Sequence, residues 1–301
     1  MKLHPLGLGL FALTALSINP AAACTVIASI PAVLTQPGTY CLASDHTFAA
    51  AAGNAITIAS DDVSIDCRQQ LITGTAGTAT LAVGVAAMNR SNITVRNCKI
   101  GGFHSGIRVN EDGTLPRRPS GTVVESNQLI RNTQLGILVA TNGSIVRDNL
   151  VFATGGNTLG LSTAGIRVRG SVDVARNDVQ SPFGPASGPA DTFGIFATHG
   201  NGGVIENNRV RSIASSRAQY GIAVFAPGGA ILRNNTLHNR YYSATNYEVA
   251  YACIGSRTVI EGNTSYGFAN GQVNCEQLAG NTFILGDTFT PESANDQGAS
   301  K

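Results

Sequence analysis

Charge is what this sequence has least of. Only 13% of its residues are Asp, Glu, Lys or Arg, about half the ~25% of an ordinary globular chain, while 43% are hydrophobic. That balance excludes a disordered polyelectrolyte and a charge-laced coiled coil. Lysine stands only at Lys2, Lys99 and Lys301, so the 20 basic residues are almost all Arg, and the formal net charge is +2. So small an excess gives no support to nucleic-acid binding. No stretch approaches ~20 consecutive apolar residues, so no membrane-spanning helix is expected. No Gly-rich loop lies between a strand and a helix, which removes a nucleotide-phosphate cradle. No Cys-x-x-Cys or Cys/His spacing suggests zinc, no metal ligand is assigned, and no residue pattern calls for a cofactor; calcium is left open, since the sequence does not indicate it.

What is present begins with a leader. Lys2, the apolar run Leu6 to Leu16 and the A-x-A site Ala21-Ala22-Ala23 form a secretory signal over residues 1–23. The expected location is secreted or periplasmic. A lipoprotein is the alternative, because Cys24 stands at the cleavage point. Against it, Ala21 occupies the place where lipoprotein signals usually carry Leu, and lipidating Cys24 would strand Cys41. In an oxidising compartment the six Cys form a disulfide framework with 15 formal connectivities, and proximity favours Cys24 with Cys41.

Two short phrases recur. The first, apolar-x-x-Asn-x-apolar, reads Val146-Arg147-Asp148-Asn149-Leu150-Val151 and returns around Asn127, Asn177, Asn208, Asn235, Asn263 and Asn281. The second, Gly-Ile-x-Val or Gly-Ile-x-Ala, begins at Gly106, Gly136, Gly165, Gly194 and Gly221, in steps of 30, 29, 29 and 27 residues. Both alternate with period two between Gly, Asn, Ser and Thr, so they are strands between turns rather than helices. A period of about 29 residues holding two or three short strands is the rung of a β-solenoid. Stacked rungs set Asn above Asn about one strand spacing (~4.8 Å) apart, where each amide bonds the next inside the stack. The repeated Asn are therefore structural.

Asn-x-[Val/Leu] turns followed by Gly-Ile-x-Val strands across residues 64–285 resemble the right-handed parallel β-helix family, the group with pectate-lyase-like repeats. The resemblance implies an all-β, single-stranded right-handed parallel β-helix of about 8 to 9 coils; the handedness comes from the resemblance alone. The expected organisation is a signal peptide at 1–23, an N-terminal cap at 24–60 covering otherwise unpaired strand edges, the β-helix at 61–285 and a flexible tail at 286–301. In that register Cys98 takes a place in the Asn ladder and Cys67 the comparable place 31 residues earlier, so the two are expected to bridge adjacent coils. Cys253 and Cys275 remain for each other. The same repeats carry lyases, hydrolases, epimerases and noncatalytic surface proteins, so the resemblance speaks for fold rather than for function.

Inward side chains fill a solenoid core, so chemistry must sit on outward positions or loops. Beside the Asn turns the outward column Glu125, Arg147, Ala175, Glu206, Arg233, Glu261 sets opposite signs side by side and neutralises itself. The Gly-Ile-x-Val face differs. Arg108, Arg167 and Arg169 have no acid in their columns, and Phe196 and Phe225 share the face. Guanidinium groups grip carboxylates bidentately, and the two rings supply an apolar face, so these five residues form the expected binding set for an acidic polysaccharide. Segments 111–120 (with Arg117 and Arg118), 153–164, 181–193 and 238–249 are long enough to wall a groove.

His199, Arg240 and Tyr242 are the candidates for the base of a β-elimination on a uronate. Family motif sets are incomplete here. Thr198-His199-Gly200 and Arg167-Val168-Arg169 stand in the reverse of the polygalacturonase order, and Arg117-Arg118-Pro119 lacks the last Arg of the pectate-lyase segment, Thr122 standing there, so no catalytic residue is carried over. No carboxylate pair supports glycoside hydrolysis. The expectation is a secreted β-helix protein that binds an acidic polysaccharide and, if an enzyme, acts as a lyase or another carbohydrate-active enzyme. The alternative is a noncatalytic extracellular or envelope scaffold or adhesion-type protein.

Overall fold

The computed structural model describes residues 24–113, 119–199, 202–225, 227–240, 247–255 and 257–285. The leader, the tail, Arg117, Arg118 and Tyr242 lie outside the described residues. Short strands fold into three parallel sheets of 11, 10 and 10 strands, and no helix occurs among the described residues. One coil shows the path. Val123–Glu125 lies in sheet one, Gln128–Ile130 in sheet three and Leu135–Val139 in sheet two, after which Ser144–Arg147 pairs back onto Val123–Glu125. Eight complete three-strand turns run from Val63 to Val273, and the chain is a right-handed β-solenoid. Residues 24–60 enter the same stack, with Thr25–Ile27 and Gly38–Leu42 in sheet one, Ala32–Leu34 and Asn54–Ile58 in sheet two, and His46–Phe48 in sheet three.

The core is a set of columns. In sheet one Val95, Val124, Val146, Val174, Ile205, Leu232 and Ile260 stand in register and are buried, and Ile100, Leu129, Val151, Val179, Val210 and Leu237 do the same in sheet three. The Asn ladder closes the corner between them. Asn127 Nδ2 donates to Asn149 Oδ1 at 3.0 Å, and the same bond repeats from Asn149, Asn177, Asn208, Asn235 and Asn263 up to Asn281. Each rung is tied to backbone as well. Asn177 Oδ1 accepts the Asn149 N–H at 3.1 Å, while Asn177 Nδ2 donates to the Val146 carbonyl at 2.9 Å. The residue before each Asn is left-handed, at φ 56, 57, 54, 54 and 54 for Ser126, Asp148, Arg176, Asn207 and Asn234. That conformation costs a side-chain-bearing residue roughly 1–2 kcal/mol, and the buried amide bonds offset it.

The three disulfides are Cys24–Cys41, Cys67–Cys98 and Cys253–Cys275. Cys98 stands on the ladder, its N–H donating to Asn127 Oδ1 at 3.0 Å, and its Cα lies 4.7 Å from that of Cys67 on the coil below. The glycine of Gly-Ile-x-Val also has a reason. A Cβ on Gly106, Gly136, Gly165, Gly194 or Gly221 would come within 2.5 to 2.9 Å of the carbonyl oxygen on the next coil, so only a residue without a side chain lets the coils stack there.

Candidate functional site

The outer face of sheet one is electrically closed. Register sets Glu125 beside Arg147, Glu206 beside Arg233 and Asp66 beside Arg96, and their charged atoms meet at 2.6, 2.6 and 3.0 Å. In the turn alongside, Arg176 closes on Asp148 at 2.8 Å. Burial alone would raise the Asp66 pKa, but the Arg68 N–H, the Asn97 amide and Arg96 together hold the carboxyl below its ordinary value.

The outer face of sheet two has the same regularity and does not close. One column runs Arg108, Leu138, Arg167, Phe196, Ala223, Ala252 on successive coils, and the column two residues on holds Arg169, Thr198 and Phe225. Arg108 and Arg167 are half-buried, and the Nε of each is shut off from solvent without a hydrogen-bond partner. None of the ion pairs among the described residues involves Arg108, Arg167 or Arg169. The Arg167 pKa is pushed below its ordinary value, first by burial and then by the charges of Arg169 and Arg108. The histidine preceding this strand feels the same field. Burial and then the Arg108 charge lower the His104 pKa, against opposing hydrogen bonds of the ring to the Thr80 backbone and the Gln134 side chain.

An aromatic plate continues the face. Phe193 and Phe196 stack with centroids 4.2 Å apart, Tyr220 stacks on Phe193 at 4.9 Å, and Phe225 stands edge-on to Phe196 at 5.1 Å. The Arg167 guanidinium carbon lies 5.2 Å from the Phe196 centroid, within cation–π range. With Leu135, Leu138, Ala164 and Val249 these rings form a second apolar cluster, separate from the solenoid core. Guanidinium groups at one end and flat rings at the other are suited to a ligand that carries both carboxylates and apolar ring faces. Segments 153–162 and 181–191 stand at the corner between sheets three and two and bond to each other, Gly156 N to Gly184 O at 3.1 Å and Ala186 N to Asn157 O at 2.8 Å.

A family model described as right handed beta helix region matches residues 21–179. The chain belongs to the right-handed β-helix family. No curated protein sequence matches it. Solved β-helix structures align with it at low identity. The A-module of the Azotobacter vinelandii mannuronan C-5 epimerase AlgE6 is 14% identical, with 83% of this chain and 91% of that one covered and a TM-score of 0.34. An alginate lyase from Paenibacillus sp. is 14% identical over 84% and 93%, at 0.34. The Streptococcus pneumoniae surface protein and adhesin PfbA is 8% identical over 84% and 87%, at 0.36.

In this β-helix protein all five expected binding residues share the outer face of sheet two, and Arg167 meets Phe196 directly. Of the alternative candidates for the base, His199 and Arg240 are described and stand on different parts of the coil. His199 is exposed at φ 57 just after Thr192–Thr198, at the corner leading to sheet one. Arg240 lines a cleft on sheet three, the opposite side of the prism. Sequence reasoning missed Phe193 and Tyr220. In a regular strand Phe193 and Phe196, three apart, would face opposite ways, but the strand changes phase at Gly194 and both rings point out. The outer face of sheet three also has a signal in the sequence, since the phrase containing Val179, Val210 and Leu237 places Arg209, Arg211 and His238 beside inward residues.

Proposed function

We propose that this protein is exported and binds an acidic polysaccharide along the outer face of sheet two, with Arg108, Arg167 and Arg169 taking carboxylates and Phe196 and Phe225 packing on sugar rings. One observation carries the reading: Arg108 and Arg167 stand two coils apart in one column, about 10 Å by strand spacing, each half-buried with an unbonded Nε and in no ion pair among the described residues. Partly buried guanidinium groups with an unbonded Nε and no ion pair among the described residues favour an external oxyanion repeated along an extended chain. Three disulfides support the oxidising, extracytoplasmic setting.

The test is a panel of polyuronates and neutral glycans, with and without calcium, followed for binding and for absorbance of unsaturated product. Saturable binding confined to acidic polymers, weakened by salt and by Arg167→Gln with Arg169→Gln, is the expected result. Product release would extend the reading to a lyase. Binding of neutral glycans alike, or of none, would overturn it in favour of a noncatalytic scaffold.

A further inference from the structure

A second basic site lies on sheet three, independent of the polysaccharide face. The strands Asp178–Gln180, Arg209–Arg211, Thr236–His238 and Thr264–Phe268 are neighbours there, with Val179, Val210, Leu237 and Ser265 buried beneath. Register therefore lines up Gln180, Arg211, His238 and Tyr266 in one outward column and Asp178, Arg209 and Thr236 in another. Between these columns and Arg240 opens a cleft of about 600 Å³, well inside the ~300–1,000 Å³ range of small-molecule sites.

Its charge is unbalanced. Arg211 Nη2 meets Asp178 Oδ2 at 2.9 Å and Arg209 reaches the same oxygen only at 4.0 Å. No acidic side chain lines the cleft among the described residues, so the three guanidinium groups there face the single carboxylate of Asp178 beside it. The Arg211 Nε is shut off from solvent without a partner. The site is also short. Phe152 flanks Gln180 on the coil before and Ile284 flanks Tyr266 on the coil after, so the basic surface ends within about 14 Å, three strand spacings. A long polyanion has no continuation there. A local excess near +2 is matched by a phosphate monoester, which carries about −1.5 to −2 at pH 7, better than by a single carboxylate.

We propose that this cleft binds a phosphate monoester of a sugar-sized molecule, the phosphoryl group held among Arg209, Arg211 and Arg240, and the ring lying against Tyr266 and His238, whose own rings meet edge-on at 6.2 Å. Calorimetric titration of the disulfide-bonded protein with glucose 6-phosphate, inorganic phosphate and glucuronic acid tests it. Saturable binding of glucose 6-phosphate is expected, at least about tenfold tighter than either of the others and weakened by salt. Arg209→Gln with Arg211→Gln should lower that affinity at least about tenfold, whereas Arg167→Gln on sheet two leaves it unchanged. Thr236→Glu, an exposed position in register with Arg209, sets a carboxylate in the site and gives a second variant should the double substitution not fold; it should abolish binding. No saturable binding of glucose 6-phosphate, equal affinity for inorganic phosphate, or indifference to Thr236→Glu overturns the proposal.

Discussion

Sheets one and two are built from the same coils in the same register, yet one face consumes its own charge and the other presents it. On sheet one an Arg on one coil meets a carboxylate on the next, as Arg147 meets Glu125 and Arg233 meets Glu206. On sheet two the coil between Arg108 and Arg167 offers Leu138, and the coil after offers Phe196. A solenoid face is thus decided one side chain per coil. An exposed pair contributes only ~0 to 1 kcal/mol, so sheet one gains little stability from its pairing but leaves no field for a ligand. Sheet two keeps three like charges together, and burial, then the charges of Arg169 and Arg108, lower the Arg167 pKa.

Both faces rest on one Asn ladder, and the largest effect is expected there. Asn177→Ala strips the buried Asn149 backbone N–H of its acceptor and the Val146 carbonyl of its Asn177 donor; the loss should cost about 3 kcal/mol, read by chemical denaturation, more than any change on either face. A cost under about 1 kcal/mol would mean that the faces, not the ladder, hold the stack. The next largest effect should come from making sheet two resemble sheet one. Leu138→Glu sets a carboxylate between Arg108 and Arg167 and is expected to weaken polyuronate binding by roughly a hundredfold, about 2.7 kcal/mol, with the circular dichroism spectrum kept. Retained binding would show that the two Arg are not the ligand's partners.

Smaller again is a single deletion on each face. Arg167→Ala should weaken polyuronate binding about tenfold, while Arg233→Ala, whose Glu206 partner is part-exposed, should leave binding unchanged and alter stability by ~0 to 1 kcal/mol. Equal losses of binding would erase the distinction between the faces.

The mildest test is pH, because each face holds a group that is shifted within the range between roughly pH 3 and 7. Asp66 on sheet one is depressed, so its contribution is present above the unfolded carboxylate value and fades only as pH falls below ~4. His104 beside Arg108 is also depressed, but for a base this means the unfolded state binds the proton first. Its contribution is full above ~6.5 and declines as pH falls through that value toward the lower folded one. Between pH 7 and 5 the stability loss should therefore come through His104 and vanish in His104→Gln. A polyuronate on Arg108 should raise the His104 pKa in an NMR titration, and an unmoved His104 would place the ligand elsewhere.

Much of this was legible in the chain. The Asn and Gly phrases recur at the coil period, so the stack, the ladder, the Cys67–Cys98 bridge at its foot and the alternating column from Glu125 to Glu261 could all be read by laying one period over the next. Arg108, Arg167 and Arg169 were legible in the same way. The aromatic plate was only half legible, because the phase change at Gly194 turns Phe193 outward against strict alternation. His199 and Arg240 are alternative candidates for one base in the sequence, and nothing in the repeat says that one stands at the corner after sheet two and the other on sheet three.

What the sequence determined alone is the repeat: a residue's neighbours on the adjacent coils lie one period away, and a short periodic phrase encodes that relation directly. What the tertiary structure decided is everything that depends on solvent and on three faces at once. Only folding shows that the Nε atoms of Arg108 and Arg167 are shut off from water without partners, or that Arg209, Arg211 and Arg240 enclose a cleft with Asp178 as their single counter-charge. Register along a stack is a one-dimensional property of the chain, whereas burial and unmet charge belong to the volume the coils enclose and the surface they leave open.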